Sequence, residues 1–297
     1  KMLASIPTAL KYADQKANDM STGQLDLFAQ MNDQNVKPNY VNCMDWSDKV
    51  RLYNEKQLLG LYLSGHPIDA YRMELIQYCG DVTLNNMIPG APDSPNLITV
   101  GAVVNNAFQR ISSKDGNKFY TMTLDDGTGT FDIMLFGKNA EIYADIEKKM
   151  NENRKKKKSA NADDINAPLI LIVTGYLSMT DEGMMKLRVK EIHTLESLRV
   201  LKARKITLNF TSKLFDDNIM FIDEVLMRNR VDVKEVNREL RQTEDPDSII
   251  KGCTLNIIID NKLLCIRDDK FRFVPRDDLV EGIRDRAGAQ SVRIGYV

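Results

Sequence analysis

The chain has 297 residues, of which 43% are hydrophobic and 28% charged, with a formal net charge of -1. That balance suits a globular chain of two or three domains and excludes any global attraction to nucleic acid, so such binding must come from local clusters. No apolar run approaches the ~20 residues of a membrane span, and four scattered cysteines without a C-x-x-C pair read as reduced thiols of a cytoplasmic protein. The first residues, Lys1-Met2-Leu3-Ala4-Ser5, show neither a signal peptide nor an initiating Met, and read as a cut from something longer.

Pro7 predicts the start of a helix that carries Leu10, Ala13 and Ala17 at helical spacing and fades before Ser21-Thr22-Gly23. Next comes the apolar pentapeptide Gln24-Leu25-Asp26-Leu27-Phe28, followed by a polar, Pro-containing loop over residues 32–39. On residue types alone two readings stand level: a plug docked on its own domain, or an exposed anchor for a partner. As an anchor, the Gln24 amide both donates and accepts, while Leu27 and Phe28 fill a pocket. Burying each is worth roughly 1.5–3 kcal/mol, so the peptide binds weakly alone and gains from tethering.

The run from Glu55 to Ile68 follows, E-K-Q-L-L-G-L-Y-L-S-G-H-P-I. Leu58, Leu59, Leu61, Tyr62 and Leu63 predict a nearly continuous apolar helix surface facing a core. His66, before Pro67, is expected to end that helix and bond a backbone carbonyl, since the sequence pairs no nucleophile with it. A short helix is predicted over 71–79, and residues 89–95 form a linker.

From Leu97 to Ser197 the pattern is that of one small β-barrel. A strand with Ile98, Val100, Ala102 and Val104 leads to a polar turn at 112–117. Two strands follow, Phe119 to Leu124 and Phe131 to Phe136, around the turn Asp125-Asp126-Gly127-Thr128-Gly129. A helix with Ala140, Ile142 or Tyr143, Ile146 and Met150 precedes strands at 169–177 and 185–192. Three strands, a helix and two strands is the order of an OB-fold, whose outer face commonly binds single-stranded nucleic acid. Alternation points Tyr120, Met122, Leu124, Phe131, Ile133 and Leu135 inward. It leaves Phe119 and Phe136 outward as candidate base-stacking platforms, with Arg110, Lys114 and Lys118 placed to meet phosphates. Lys186, Arg188 and Lys190 alternate outward on the last strand. Asp125 and Asp126, followed by glycines, read as turn residues and not metal ligands. Residues 151–167, opening with Arg154 and Lys155 to Lys158, read as a solvated helix end and insertion.

Beyond Lys205 the order is strand (Ile206, Leu208, Phe210), helix (215–228), shorter helix (233–240), and strands at 255–259, 263–266 and 271–274. A helix after Pro275 and a last strand at 292–296 complete a compact α+β unit. Asp260-Asn261-Lys262 predicts a tight hairpin turn. No glycine-rich phosphate loop and no acid, base and nucleophile cluster together there.

Three of these stretches resemble one family, the alpha subunit of bacterial DNA polymerase III. Gln24 to Phe28 resembles its clamp-binding Q-L-x-L-F, Glu55 to Ile68 its E-K-E-L-L-G-x-Y-L-S-G-H-P-L segment, and Leu124 to Gly129 its T-L-[ED]-D-x-[ST]-G. Where the family often carries a basic run before the first barrel turn, this chain has Phe108-Gln109-Arg110-Ile111-Ser112, which implies only weak contact with single-stranded template. The resemblance implies a multi-domain α+β chain. It comprises a helical N-terminal segment (1–95, the end of the clamp-binding domain), a five-stranded OB-fold barrel (96–198) and a small α+β domain (199–297) that binds the clamp-loader tau subunit. The implied partners are the sliding clamp (the beta subunit), tau, single-stranded template and the rest of the polymerase core. Gln24, Leu25, Asp26, Leu27 and Phe28 would be the clamp contacts. The nucleotidyltransferase site of this DNA-directed DNA polymerase would lie outside these residues, with no cofactor, metal or catalytic residue expected here. Polymerisation needs carboxylates that hold two metals; no strand carries a D-x-D, and Asp245-Pro246-Asp247 sits in a proline turn. The rival reading is a free-standing OB-fold protein that binds single-stranded DNA or RNA.

Overall fold

At 16 residues, strand β1 (Asn96–Ile111) is long enough to serve two partners. Its first half pairs antiparallel with β4 (Ile170–Met179) and its second half with β2 (Lys118–Asp125). A register shift between Val104 and Asn106 lets the strand bend at the changeover, as bulges do in small barrels. With β3 (Thr130–Leu135) and β5 (Met185–Thr194) added, the sheet order is β3-β2-β1-β4-β5. The Asn139 amide donates to the Val189 carbonyl at 3.1 Å and so ties the chain after β3 to β5. The computed structural model describes residues 1–21, 39–43, 45–112, 116–143, 146–150, 168–243, 245, 249–266 and 270–296. The pentapeptide Gln24–Phe28, Lys114 and residues 151–167 lie outside them.

The inward set predicted from alternation is the set that fills the barrel. Val100, Ala102, Met122, Leu124, Ile133, Leu135, Leu171, Val173 and Leu177 are buried together, with Tyr120 and Phe131 packed against them. Tyr143 and Ile146, from the predicted helix, close the same core, and Tyr143 stacks on Tyr120 with ring centroids 3.8 Å apart.

The C-terminal unit is a four-stranded sheet in the order β11-β6-β8-β9, built from β6 (Ala203–Phe210), β8 (Thr254–Ile259), β9 (Lys262–Ile266) and β11 (Val292–Tyr296). β6 and β8 run parallel, and β8 and β9 form the expected hairpin. Asp260 and Asn261 both have positive φ, 47° and 64°, which a two-residue turn of this twist requires. The helices Ser212–Arg228 and Asp277–Ala287 bury Ile222, Val225, Leu279, Val280 and Ile283 against Ile206, Leu208, Leu255 and Ile257. Two elements go beyond the sequence reading. Helix Leu195–Lys202 is capped by Thr194, whose hydroxyl accepts from Ser197 N–H, and a short strand β7 (Arg230–Asp232) pairs with β10 (Phe271–Phe273). That helix spans residues 198 and 199, where the sequence had suggested a domain boundary.

Three local expectations need correction. The first helix runs Met2–Ser21 and contains Pro7 in its interior. The residues ahead of Pro7 are good helix formers, and the proline removes only the bond to the Leu3 carbonyl. Second, Leu58, Leu59, Leu61 and Leu63 are exposed, Leu58 at 83%. The helix Asp48–Leu59 stops at Gly60, whose φ of 77° reverses the chain, so these leucines never share one face. The Glu55 carboxylate then holds the loop by accepting from Leu63 and Ser64 N–H at 2.7 and 3.0 Å. Third, His66 starts a helix where it had been expected to end one. Its Nδ1 accepts from Ile68 N–H at 3.2 Å, while Asp69 accepts from His66 N–H, capping the 3-10 turn Pro67–Tyr71.

With Nδ1 occupied as an acceptor, the neutral imidazole carries its proton on Nε2, which lies 3.3 Å from Asp125 Oδ1. Burial lowers the pKa of His66 and outweighs the pull of Asp125, which favours that neutral form. Two of the family-like motifs, around His66 and around Asp125, thus meet face to face. Asp126 is buried and organises the turn: one carboxylate oxygen accepts from Thr128 N–H and O–H and from Gly129 N–H, and the other from Leu84 N–H. Both aspartates act as turn and joint residues. Gly127 has φ 78°, and a Cβ there would stand 3.0 Å from His66 Cβ and Cγ. Gly127→Ala is therefore expected to lower stability by about 1–2 kcal/mol, seen as a lower urea midpoint at unchanged slope.

Candidate nucleic-acid interface

The outward face of β1-β2-β3 follows from the register. Arg110 lies opposite Phe119, and Phe108 opposite Thr121, which in turn faces Met134. Continuing one residue past the Tyr120–Leu135 pair brings Phe136 beside Phe119. Their rings stack on each other, centroids 5.4 Å apart and planes 16° apart. Phe119 is half-buried and Phe136 is 57% exposed. The two phenylalanines therefore form one paired platform and not two separate ones, with the outer ring face available to a base.

Around that platform the chemistry is mixed. Arg110 Nε donates to Thr121 Oγ1 at 3.3 Å, which steadies the guanidinium beside the rings. Lys118 is exposed at the edge, opposite Ile111. Asp132 lies on the same face and accepts from Thr123 Oγ1 at 2.7 Å, which ties its charge down two residues from Met134. Of the five residues predicted from sequence, the structure brings together Arg110, Phe119 and Phe136; Lys118, paired with Ile111, alternates to the Tyr120 side at the strand end, and Lys114 falls outside the described residues. Phe108 and Met134, both exposed on this face, were missed. Alternation continued from Val104 would turn Phe108 inward; the register shift between Val104 and Asn106 reverses the phase and puts Phe108 and Arg110 outside, which the spacing of residues does not show. Lys186, Arg188 and Lys190 are exposed as expected but sit on β5, where the Arg188 guanidinium lies 5.2 Å from the Tyr176 ring centre.

A second cluster is buried and belongs to structure. Arg199, 1% exposed, donates to both oxygens of Glu74 at 2.7 and 2.9 Å, and to Asp277 and Glu281 at 3.1 Å each. Tyr296 O–H donates to Glu74 at 2.5 Å and Tyr71 O–H to Glu281 at 2.8 Å. The helix Arg72–Cys79, the helix after β5 and the C-terminal unit are joined there. Among the described residues, no group of three or more His, Cys, Asp or Glu could hold a metal ion, and no helix is long and apolar enough to cross a membrane.

Strand order and register define an OB-fold barrel with an aromatic pair on its outer face. The family described as OB-fold nucleic acid binding domain (tRNA_anti-codon) matches residues 98–195. The wider resemblance read from the motifs is also met: the chain is similar to DNA polymerase III subunit alpha of Escherichia coli K12. The two are 31% identical over 222 residues, 74% of this chain and 17% of that one. The same subunit of Vibrio cholerae is 26% identical over 299 residues, 99% of this chain and 22% of that one. The chain thus spans about a fifth of the length of these relatives. Among solved structures, mitochondrial single-stranded DNA binding protein Rim1 of S. cerevisiae aligns with 34% of this chain and 97% of its own. Identity there is 8% and the TM-score 0.23, too low to bear on function.

Proposed function

We propose that this chain is the C-terminal, non-catalytic region of a replicative DNA polymerase III alpha subunit. It grips partners at the replisome while bond-making occurs elsewhere. Residues 1–95 end the clamp-binding domain and present Gln24–Phe28 to the sliding clamp. Residues 96–198 hold the OB barrel near single-stranded template through Arg110, Lys114, Lys118, Phe119 and Phe136, and residues 199–297 bind the clamp-loader tau subunit. The observation that carries this reading over a free-standing OB protein is the reach of the similarity: it extends to 99% of the chain, far beyond the barrel at 98–195.

The clamp contact gives the sharpest test. In a native-gel shift with the sliding clamp, the chain is expected to retard the clamp band, and Leu27→Ala with Phe28→Ala to abolish the shift. The two side chains supply roughly 3–6 kcal/mol together, most of what a weak peptide anchor has. A free-standing OB protein gives no shift in either form.

A further inference from the structure

We propose that the outward face of the Ser212–Arg228 helix seats a basic amphipathic helix of the tau subunit, an inference that rests on the reading of residues 199–297 as the tau-binding unit. Ile222 and Val225 turn one side of this helix into the core. The opposite side carries Asp216, Met220, Asp223 and Met227, spaced four, three and four residues apart, so they lie in one stripe. The stripe runs three turns, about 16 Å. Met220 is 85% exposed, Met227 and Ile219 are also exposed, and Asp217 and Glu224 line one flank.

Two properties of the stripe specify its occupant. Exposed methionines on a helix surface form an adaptable apolar ridge, and methionine is enriched where proteins meet. The carboxylates set the sign of the partner. Glu224 is paired with Arg228 at 2.5 Å, whereas Asp216, Asp217 and Asp223 carry no ion pair among the described residues. An apolar ridge flanked by unpaired acids is complementary to a helix with apolar anchors between Lys and Arg. Such a helix laid along the stripe covers the methionines and pairs the acids in one step.

The test uses the whole chain and the cognate tau subunit, with affinity measured by calorimetry at low and at physiological salt. Asp216→Lys with Asp223→Lys is expected to weaken binding about ten-fold or more at low salt and to flatten its salt dependence. Met220→Ser with Met227→Ser is expected to weaken it at both salts. These positions are exposed, so circular dichroism should match the parent chain. Parent binding with unchanged affinity in both variants overturns the docking face and leaves tau binding intact. No binding by the parent chain overturns the tau reading and the face with it. Loss of binding on Leu263→Asp, at the exposed edge strand β9, with both helix variants unaffected, moves the contact to the sheet edge and overturns the proposal.

Discussion

Replacing Arg199 with methionine is expected to cost about 3–5 kcal/mol of stability, because it strands buried carboxylates that the guanidinium now compensates. Glu74 is the most exposed to this loss in energy, being the most buried of them. Burial alone would push its pKa up. The two Arg199 hydrogen bonds, with Tyr296 and Arg284 adding to them, outweigh that and hold it below its ordinary value. The sign for pH follows directly. A carboxylate with a depressed folded pKa contributes stability above its unfolded value, near 4.5, and that contribution is lost as pH falls through the folded value. The parent chain should therefore lose stability in acid below this range. In Arg199→Met the Glu74 pKa should rise, so that lowering the pH toward 5 recovers part of the lost stability. Adding Glu74→Gln should recover part of it at neutral pH as well. Urea melts across pH check this; equal stability of parent and Arg199→Met would mean the cluster holds nothing together. Since Arg199 reaches Glu74, Asp277 and Glu281 from a third helix, the same melt reports whether these parts unfold as one unit.

Removal of the aromatic platform should show in single-strand binding. Phe119→Ala is expected to weaken binding of a labelled oligothymidylate by about ten-fold to a hundred-fold, since stacking on an aromatic side chain contributes ~1–3 kcal/mol per base. The stack between Phe119 and Phe136 adds a finer expectation. Two independent platforms would give additive losses. One paired platform, with rings 5.4 Å apart, gives a double variant little worse than either single one. Fluorescence anisotropy at low salt separates the two, and unaffected binding in the double variant removes this face from nucleic-acid contact. The salt slope should be shallow, because Arg110 is the single cation among the described outward residues of β1, β2 and β3, with Lys118 at the strand end on the other side of the pleat.

The barrel was legible from its alternation because a strand with one buried face must place apolar residues at every second position. That rule located Met122, Leu124, Ile133 and Leu135 correctly and put Phe119 and Phe136 outside. It was silent on neighbours. Nothing in the spacing of Phe119 and Phe136 says that they touch, since contact depends on the register between β2 and β3. The leucines near Gly60 differ for a related reason: the apolar run reads as one helix face, and a single left-handed glycine divides it.

By itself, then, the chain of residues determined the strands, their turns, the family-like motifs and the side of the sheet that faces solvent, since these depend on local periodicity and backbone preference. Tertiary structure alone decided that His66 meets Asp125, that the platform is a pair, and that Arg199 is buried. Each of those depends on partners brought in from distant parts of the chain. Charge is the clearest case, because an arginine reads as solvated until the fold supplies the carboxylates that offset its desolvation.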